Sequence, residues 1–182
     1  MDNQIKEISE RLRGLRDVLQ LSPQQLAQDC GICLEEYLRA ESGENDISVS
    51  LLQKIAKHYD LSLDELMFGL EPRMTSYFLT RYGKGLSVER TKAYKYQSLA
   101  GGFKGKLAEP FLVTVDPNDK PITLNQHTGQ EFDMVLKGRL LISLNGKELI
   151  LNEGDSLYFN AKQLHGMKAL DGKQAQFIAV II

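Results

Sequence analysis

The sequence has no long apolar run. In its 182 residues no stretch approaches the roughly 18 apolar residues needed to span a bilayer, which excludes a membrane helix. The apolar tail from Phe177 to Ile182 is far too short for an anchor. Cysteine is scarce as well. Two cysteines, and a segment from Met1 to Glu10 that is polar and helical in pattern rather than signal-like, point to a reducing, cytoplasmic setting. The two form Cys30-Gly31-Ile32-Cys33, and no second pair exists to complete a zinc site. They are expected to serve packing, with Cys33 at a helix N-cap. A composition 42% hydrophobic and 25% charged excludes a disordered or fibrous chain, and the length suits one or two small domains.

A basic excess is also missing. The net charge is −2, and residues 1–70 carry seven basic against thirteen acidic side chains, a net −6 that leaves +4 for the rest. Nucleic-acid binders usually present a basic face, so this distribution stands against such a role for the N-terminal part.

The pattern of that part is nevertheless specific. Ile5, Ile8, Leu12, Leu15 and Leu19 recur at three- and four-residue spacing, one face of an amphipathic helix. Ser22-Pro23 reads as an N-cap with proline in the first turn, and Gly31 ends the short helix that follows. A third helix is expected from about Cys33 to Ala40, a break at 42–45, a fourth helix from Ser48, and a fifth capped by Ser62. Five short helices with a tight glycine turn between the second and third follow the helix-turn-helix plan.

From about residue 71 helical periodicity is lost. Aromatics (Tyr77, Phe78, Tyr82, Tyr94, Tyr96) interleave with basic residues (Arg73, Arg81, Lys84, Arg90, Lys92, Lys95), which reads as a linker and then one or two strands. Short β-rich runs follow at 110–116, 121–127, 132–144, 147–151, 155–159 and 176–182. Turn residues separate them, and Asn145-Gly146 is the preferred two-residue hairpin turn. The pattern predicts an all-β sandwich or barrel.

Two resemblances sharpen this reading. Leu12, Arg16, Leu26, Ala27, Gly31, Glu41, Gly43, Leu52, Ile55, Ala56 and the closing Leu63-Asp64-Glu65-Leu66 resemble the phage-repressor (Cro-type, XRE-like) helix-turn-helix family. The resemblance implies that the third helix enters the major groove of double-stranded DNA, with Cys33, Leu34, Glu35 and Glu36 at base-reading positions. Gln24, Gln25, Arg39, Asn45 and Ser48 are the candidate phosphate contacts. Glutamate can accept from cytosine, but two adjacent carboxylates near phosphates are costly; a degenerate packing module is the alternative.

The C-terminal part resembles the cupin (jelly-roll) family. His127, Glu131 and Gly138 match its first motif, with Asn125 in place of the first histidine. Gly154 and His165 match the second, with Asn160 and Lys162 in place of its Pro and Gly and Ala169 in place of its closing Asn. Asn125 and His127, two apart on an expected strand, point into the barrel, where Glu131 and His165 join them. The resemblance implies one divalent metal (Fe, Mn, Zn or Ni) on His127, Glu131 and His165, with Asn125 in the ligand pocket; a metal-free pocket is the alternative.

The expected division is a helix-turn-helix domain over 1–70, a linker over 71–90 and a cupin domain over 91–182. In this order the halves resemble helix-turn-helix–cupin transcriptional regulators, which implies a homodimer whose cupin senses a small-molecule effector. A second class fits the triad, a mononuclear-metal enzyme similar to the phosphonate epoxidases, although no acid, base or nucleophile is visible beyond the triad. A small-molecule binding protein that does not bind DNA is a third.

Overall fold

The computed structural model describes residues 3–89 and 94–182. Asp2 of the charge tally, Arg90 and Lys92 of the connecting stretch, and the expected boundary near residue 91 lie outside the described residues.

The N-terminal part holds α1 (Asn3–Val18), α2 (Pro23–Asp29), α3 (Leu34–Ser42), α4 (Val49–His58) and α5 (Leu63–Phe68). Their starts follow local chemistry. The Ser22, Ser48 and Ser62 hydroxyls each accept from the backbone N–H three residues on, satisfying a donor the helix cannot. Ser22 and Ser62 complete capping boxes with Gln25 and Glu65. Glycine 43, at φ 70°, ends α3 in the left-handed region. The buried faces converge on Ile8, Leu12, Leu26, Tyr37, Leu52 and Ile55. Leu19, expected on the inner face of the first helix, lies beyond its end and is exposed.

Two buried charges are built into this part, and both are satisfied. Glu41 accepts from the Arg16 guanidinium at 2.7 Å and from the Tyr37 hydroxyl at 2.9 Å. Asp64, fully buried on α5, accepts from Ser98 at 3.3 Å and pairs with Lys106, which also bonds Glu109 at 2.6 Å. Ser98, Lys106 and Glu109 belong to the C-terminal part. Some of its positive charge thus neutralises an acid of the helical part inside the contact between the two.

Among the described residues nine strands form the rest: β1 (Leu86–Glu89), β2 (Tyr94–Ser98), β3 (Glu109–Val115), β4 (Gln130–Lys137), β5 (Leu140–Leu144), β6 (Lys147–Leu151), β7 (Ser156–Asn160), β8 (His165–Ala169) and β9 (Ala175–Ile181). They make two antiparallel sheets, β1-β2-β3-β9-β4-β7 and β6-β5-β8, around a core that includes Phe111, Val113, Leu140, Ile142 and Phe177. Asn145 and Gly146 take φ 48° and 81°, the left-handed pair a two-residue hairpin needs. One expected strand is corrected. Residues 121–127 form no strand, only a single bridge from Asn125 to His165. Tyr77, Phe78 and Tyr82, in the stretch expected to be a linker, stand exposed on an irregular arm before β1.

Candidate metal centre and nucleic-acid interface

The centre is assembled from three pieces of chain. His165 opens β8, Glu131 lies near the start of β4, and His127 sits in the turn before it. The bridge between Asn125 and His165, bonded in both directions at 2.8 and 2.9 Å, and the His127 N–H to Ala161 O bond at 2.9 Å tie the 121–127 segment to the barrel. Gly129 is required here. At φ 90° it packs so closely that a Cβ would stand 1.8 Å from the Ile182 carbonyl oxygen.

All three side chains are buried, and one ligand atom from each lies within 4.8 Å of the others. His127 Nε2 is 2.8 Å and His165 Nε2 3.6 Å from the same Glu131 oxygen, Oε2. The outer nitrogens are anchored. His165 Nδ1–H donates to Gln163 O at 2.8 Å, and His127 Nδ1 faces Thr128 O at 3.2 Å. A ring that donates through Nδ1 turns the lone pair of Nε2 inward, the orientation that metal-ligating histidines take from their second partners. Burial pushes the His165 pKa down, which keeps that lone pair free of a proton near neutral pH.

The donor set fits a divalent metal. The 2.8 Å contact of His127 Nε2 with Glu131 Oε2 is a hydrogen bond that a proton can hold; a metal would take the place of that proton, and two imidazoles with one carboxylate suit Fe, Mn, Zn or Ni. The cavity they line is about 60 Å³, room for an ion and one or two water-sized groups. Asn125, half-buried, lines it as expected. So do Val49 and Ser50, the first turn of α4, which sequence reasoning did not place near the barrel. Among the described lining residues there is no arginine or lysine. A larger groove of about 850 Å³ lies along the 69–86 arm; its charged lining, Glu71, Arg73, Arg81 and Lys84, is solvent-exposed, and the triad is not part of it.

Sequence reasoning also missed Asp133. Strand alternation carries a signal for it. Glu131 and Val135 point inward, so the residue between them at the same parity does too. It is fully buried, and burial, then the neighbouring Glu131, pushes its pKa well up.

On the helical part, the residues expected to face DNA divide. Glu35 and Arg39 are exposed on α3, together with Leu38 and Ser42, which the sequence did not single out. Leu34 is half-buried and packs on the core. Glu36 is half-buried and accepts from Ser48 at 3.4 Å, so one of the two adjacent carboxylates faces the amino end of α4. Ser48 is engaged as the α4 cap and Gln25 in its capping box, while Gln24 and Asn45 are exposed. Cys33 is exposed at the N-cap of α3 without a side-chain cap bond. Half-buried Cys30, whose thiol burial pushes up to about 11, packs at the end of α2.

Fold and site together define a two-domain protein, a helix-turn-helix domain followed by a cupin domain. Comparison with known proteins bears this out: a helix-turn-helix family model matches residues 12–66 and a cupin domain model residues 111–181. The chain is 38% identical over 60 residues to the transcriptional repressor RstR of cryptic phage CTXphi from Vibrio cholerae serotype O1. That match takes in 33% of this chain and spans about half, 54%, of the repressor. Two solved structures share the architecture along nearly the whole chain. A helix-turn-helix family transcriptional regulator from Vibrio cholerae superposes with a TM-score of 0.65 at 23% identity, covering 98% of this chain and 96% of its own. Hydroxypropylphosphonic acid epoxidase from S. wedmorenis superposes at 0.53 and 22%, covering 100% of both chains. The chain therefore joins a helix-turn-helix domain to a cupin domain.

Proposed function

We propose that this chain is a DNA-binding transcriptional regulator whose cupin domain holds one divalent metal and senses a small-molecule effector. The observation that carries this reading is the contact between the two halves: the first turn of α4, through Val49 and Ser50, lines the same cavity as His127, Glu131 and His165. Ser48, at the head of that turn, bonds Glu36 of the reading helix. At about 60 Å³ the cavity is far below the roughly 300 Å³ of a typical small-molecule site. An effector larger than a few atoms displaces the α4 turn on entering, and α3 follows through Glu36. Effector binding and DNA binding are then linked.

Glu35, Leu38, Arg39 and Ser42 form the outward face of α3, and Gln24 and Asn45 flank it as phosphate contacts. A homodimer is the natural assembly, because paired heads meet a pseudo-palindromic operator. Its interface is the outer face of the six-stranded sheet, where Leu112, Met134, Leu136, Ile178 and Val180 leave apolar surface to solvent.

The likeness to the epoxidase supports a metal at the triad. A dianionic phosphonate is a poor match to the cavity itself, where two carboxylates stand on one face of β4 and the described lining offers no arginine or lysine. The regulator reading is tested by incubating the purified chain with sheared genomic DNA of its source. Selective retention of a fragment, with steep salt dependence, is expected; no retention even at low salt overturns it. For the metal, the wild type is expected to carry one equivalent and His165→Ala much less. Equal metal content in the two would remove the triad from consideration.

A further inference from the structure

The groove along the 69–86 arm, separate from the triad, has the size and the walls of a ligand site. Its volume of about 850 Å³ lies within the range of small-molecule sites, where the triad cavity of about 60 Å³ does not. Backbone holds it open. The Arg73 and Met74 N–H groups donate to Gly102 O, Lys104 N–H donates to Met74 O at 2.8 Å, and the Thr80 hydroxyl donates to Leu99 O at 2.6 Å. The arm is thus pinned at two points to the turn after β2. Gly101 and Gly102, both buried, belong to its floor. A Cβ on Gly102 would stand 2.3 Å from the Phe78 ring, so bare backbone is what lets that ring lie against it. Met74, Phe78, Leu79 and Leu86 line the groove, yet each keeps between 38% and 61% of its surface exposed. Four large apolar side chains left open around one concavity are surface for an apolar occupant to cover. Charge at the rim narrows the choice. The charged lining is three bases against one acid, a net +2. Glu71 and Arg73 pair with each other at 3.4 Å. That leaves Arg81 and Lys84, whose side chains meet no carboxylate or other acceptor among the described residues.

We propose that this groove binds an organic carboxylate with an apolar body, a medium-length acyl chain. The chain lies on Met74, Phe78, Leu79 and Leu86, and the carboxylate meets Arg81 and Lys84 at the rim. Arg81 offers the paired N–H groups that match the two oxygens of a carboxylate. The site stands on the seam between the domains. Gly69 and Leu70, at the end of α5, belong to its wall, and Ser98 of β2, also in its lining, donates to the buried Asp64 of α5. A bound chain bears on α5 and β2 together and stabilises the joint between them. The inference rests neither on the metal reading of the triad nor on DNA binding.

The test is calorimetric titration of the full chain with sodium octanoate, with octan-1-ol and octyltrimethylammonium chloride as the uncharged and cationic counterparts. The wild type is expected to bind octanoate saturably at one site, and the other two roughly tenfold more weakly or not at all. The double variant Arg81→Glu, Lys84→Glu should weaken octanoate binding roughly tenfold or more, and Leu79→Asp, which sets a charge on the apolar wall, should do the same. All three side chains are exposed, so without ligand the variants should melt close to the wild type. Octanoate should raise the wild-type melting temperature and move that of the variants less. Affinity unchanged in both groove variants puts the ligand elsewhere, the triad cavity included, and overturns the inference. Equal affinity for octanoate and octan-1-ol overturns it too, as does the absence of saturable binding up to about 2 mM. A wild type that binds no octanoate, with groove variants of lower mass in light scattering, would mean that a second copy of the chain fills the groove, which also overturns it.

Discussion

The two domains treat buried charge in opposite ways. In the helix-turn-helix domain Glu41 and Asp64 are each locked to a cation and a hydroxyl, and nothing further is needed to hold them. In the cupin domain His127, Glu131 and His165 converge on a cavity, and the fully buried Asp133 is set beside Glu131, carboxyl against carboxyl. A satisfied buried charge is part of the architecture; ligand-type side chains gathered around a cavity are a place for a ligand. The same contrast bears on the acidic balance of the first domain. Two of its acids are internal, and Glu36 faces the α4 cap, so the net charge overstates what the reading face presents.

Removing a cation from the satisfied side should have the largest effect. Lys106→Met leaves Asp64 and Glu109 as neighbouring carboxylates without their ammonium and should cost about 3–5 kcal/mol in denaturant unfolding. A loss under about 1 kcal/mol would mean that the contact between the domains is not held there. Next in size is the apolar sheet face. Ile178→Glu places a charge among Met134, Leu136 and Val180, and light scattering should report a monomer where the wild type is a dimer. A wild-type monomer, or a variant of unchanged mass, excludes that face.

On the DNA side, Arg39→Ala should weaken duplex binding by roughly 1–2 kcal/mol and reduce the slope of log K against log salt by about one. An unchanged slope would take Arg39 off the phosphates. The smallest effect concerns the thiols. A thiol pushed up to about 11 forms thiolate only in strong alkali, so at pH 8 Cys30 should alkylate roughly 100-fold more slowly than exposed Cys33 and approach it above about pH 10. Equal rates at pH 8 would mean that the turn of the helix-turn-helix opens.

Much of this was legible in local chemistry. Ser22, Ser48 and Ser62 marked three helix starts because a cap is a contact within one turn. Asn145-Gly146 marked its hairpin through backbone conformation, and the spacing of His127, Glu131 and His165 survived in three dimensions. What failed was long-range. Residues 121–127 have the composition of a strand but make a single bridge, from Asn125 to His165, and line the cavity through Thr123, Asn125 and His127. β8, with Gly166 and Met167 at its centre, carries little β signal and is a strand because β5 pairs with it. Asp133 reads as a surface residue until the parity set by Glu131 and Val135 turns it inward. Val49 and Ser50 could not be placed over the cavity, because a contact between domains leaves no local pattern.

Coupling between the two domains is read from the affinity of the full chain for its retained duplex, in metal-stripped and manganese-loaded forms, across a series of salt concentrations. A steep salt dependence is expected in both forms, with Kd values that differ by about fivefold or more, because the α4 turn lines the triad cavity and its Ser48 cap bonds Glu36 of α3. Identical Kd values in the two forms would contradict the coupling, and a chain that retains no duplex at low salt would contradict the function itself.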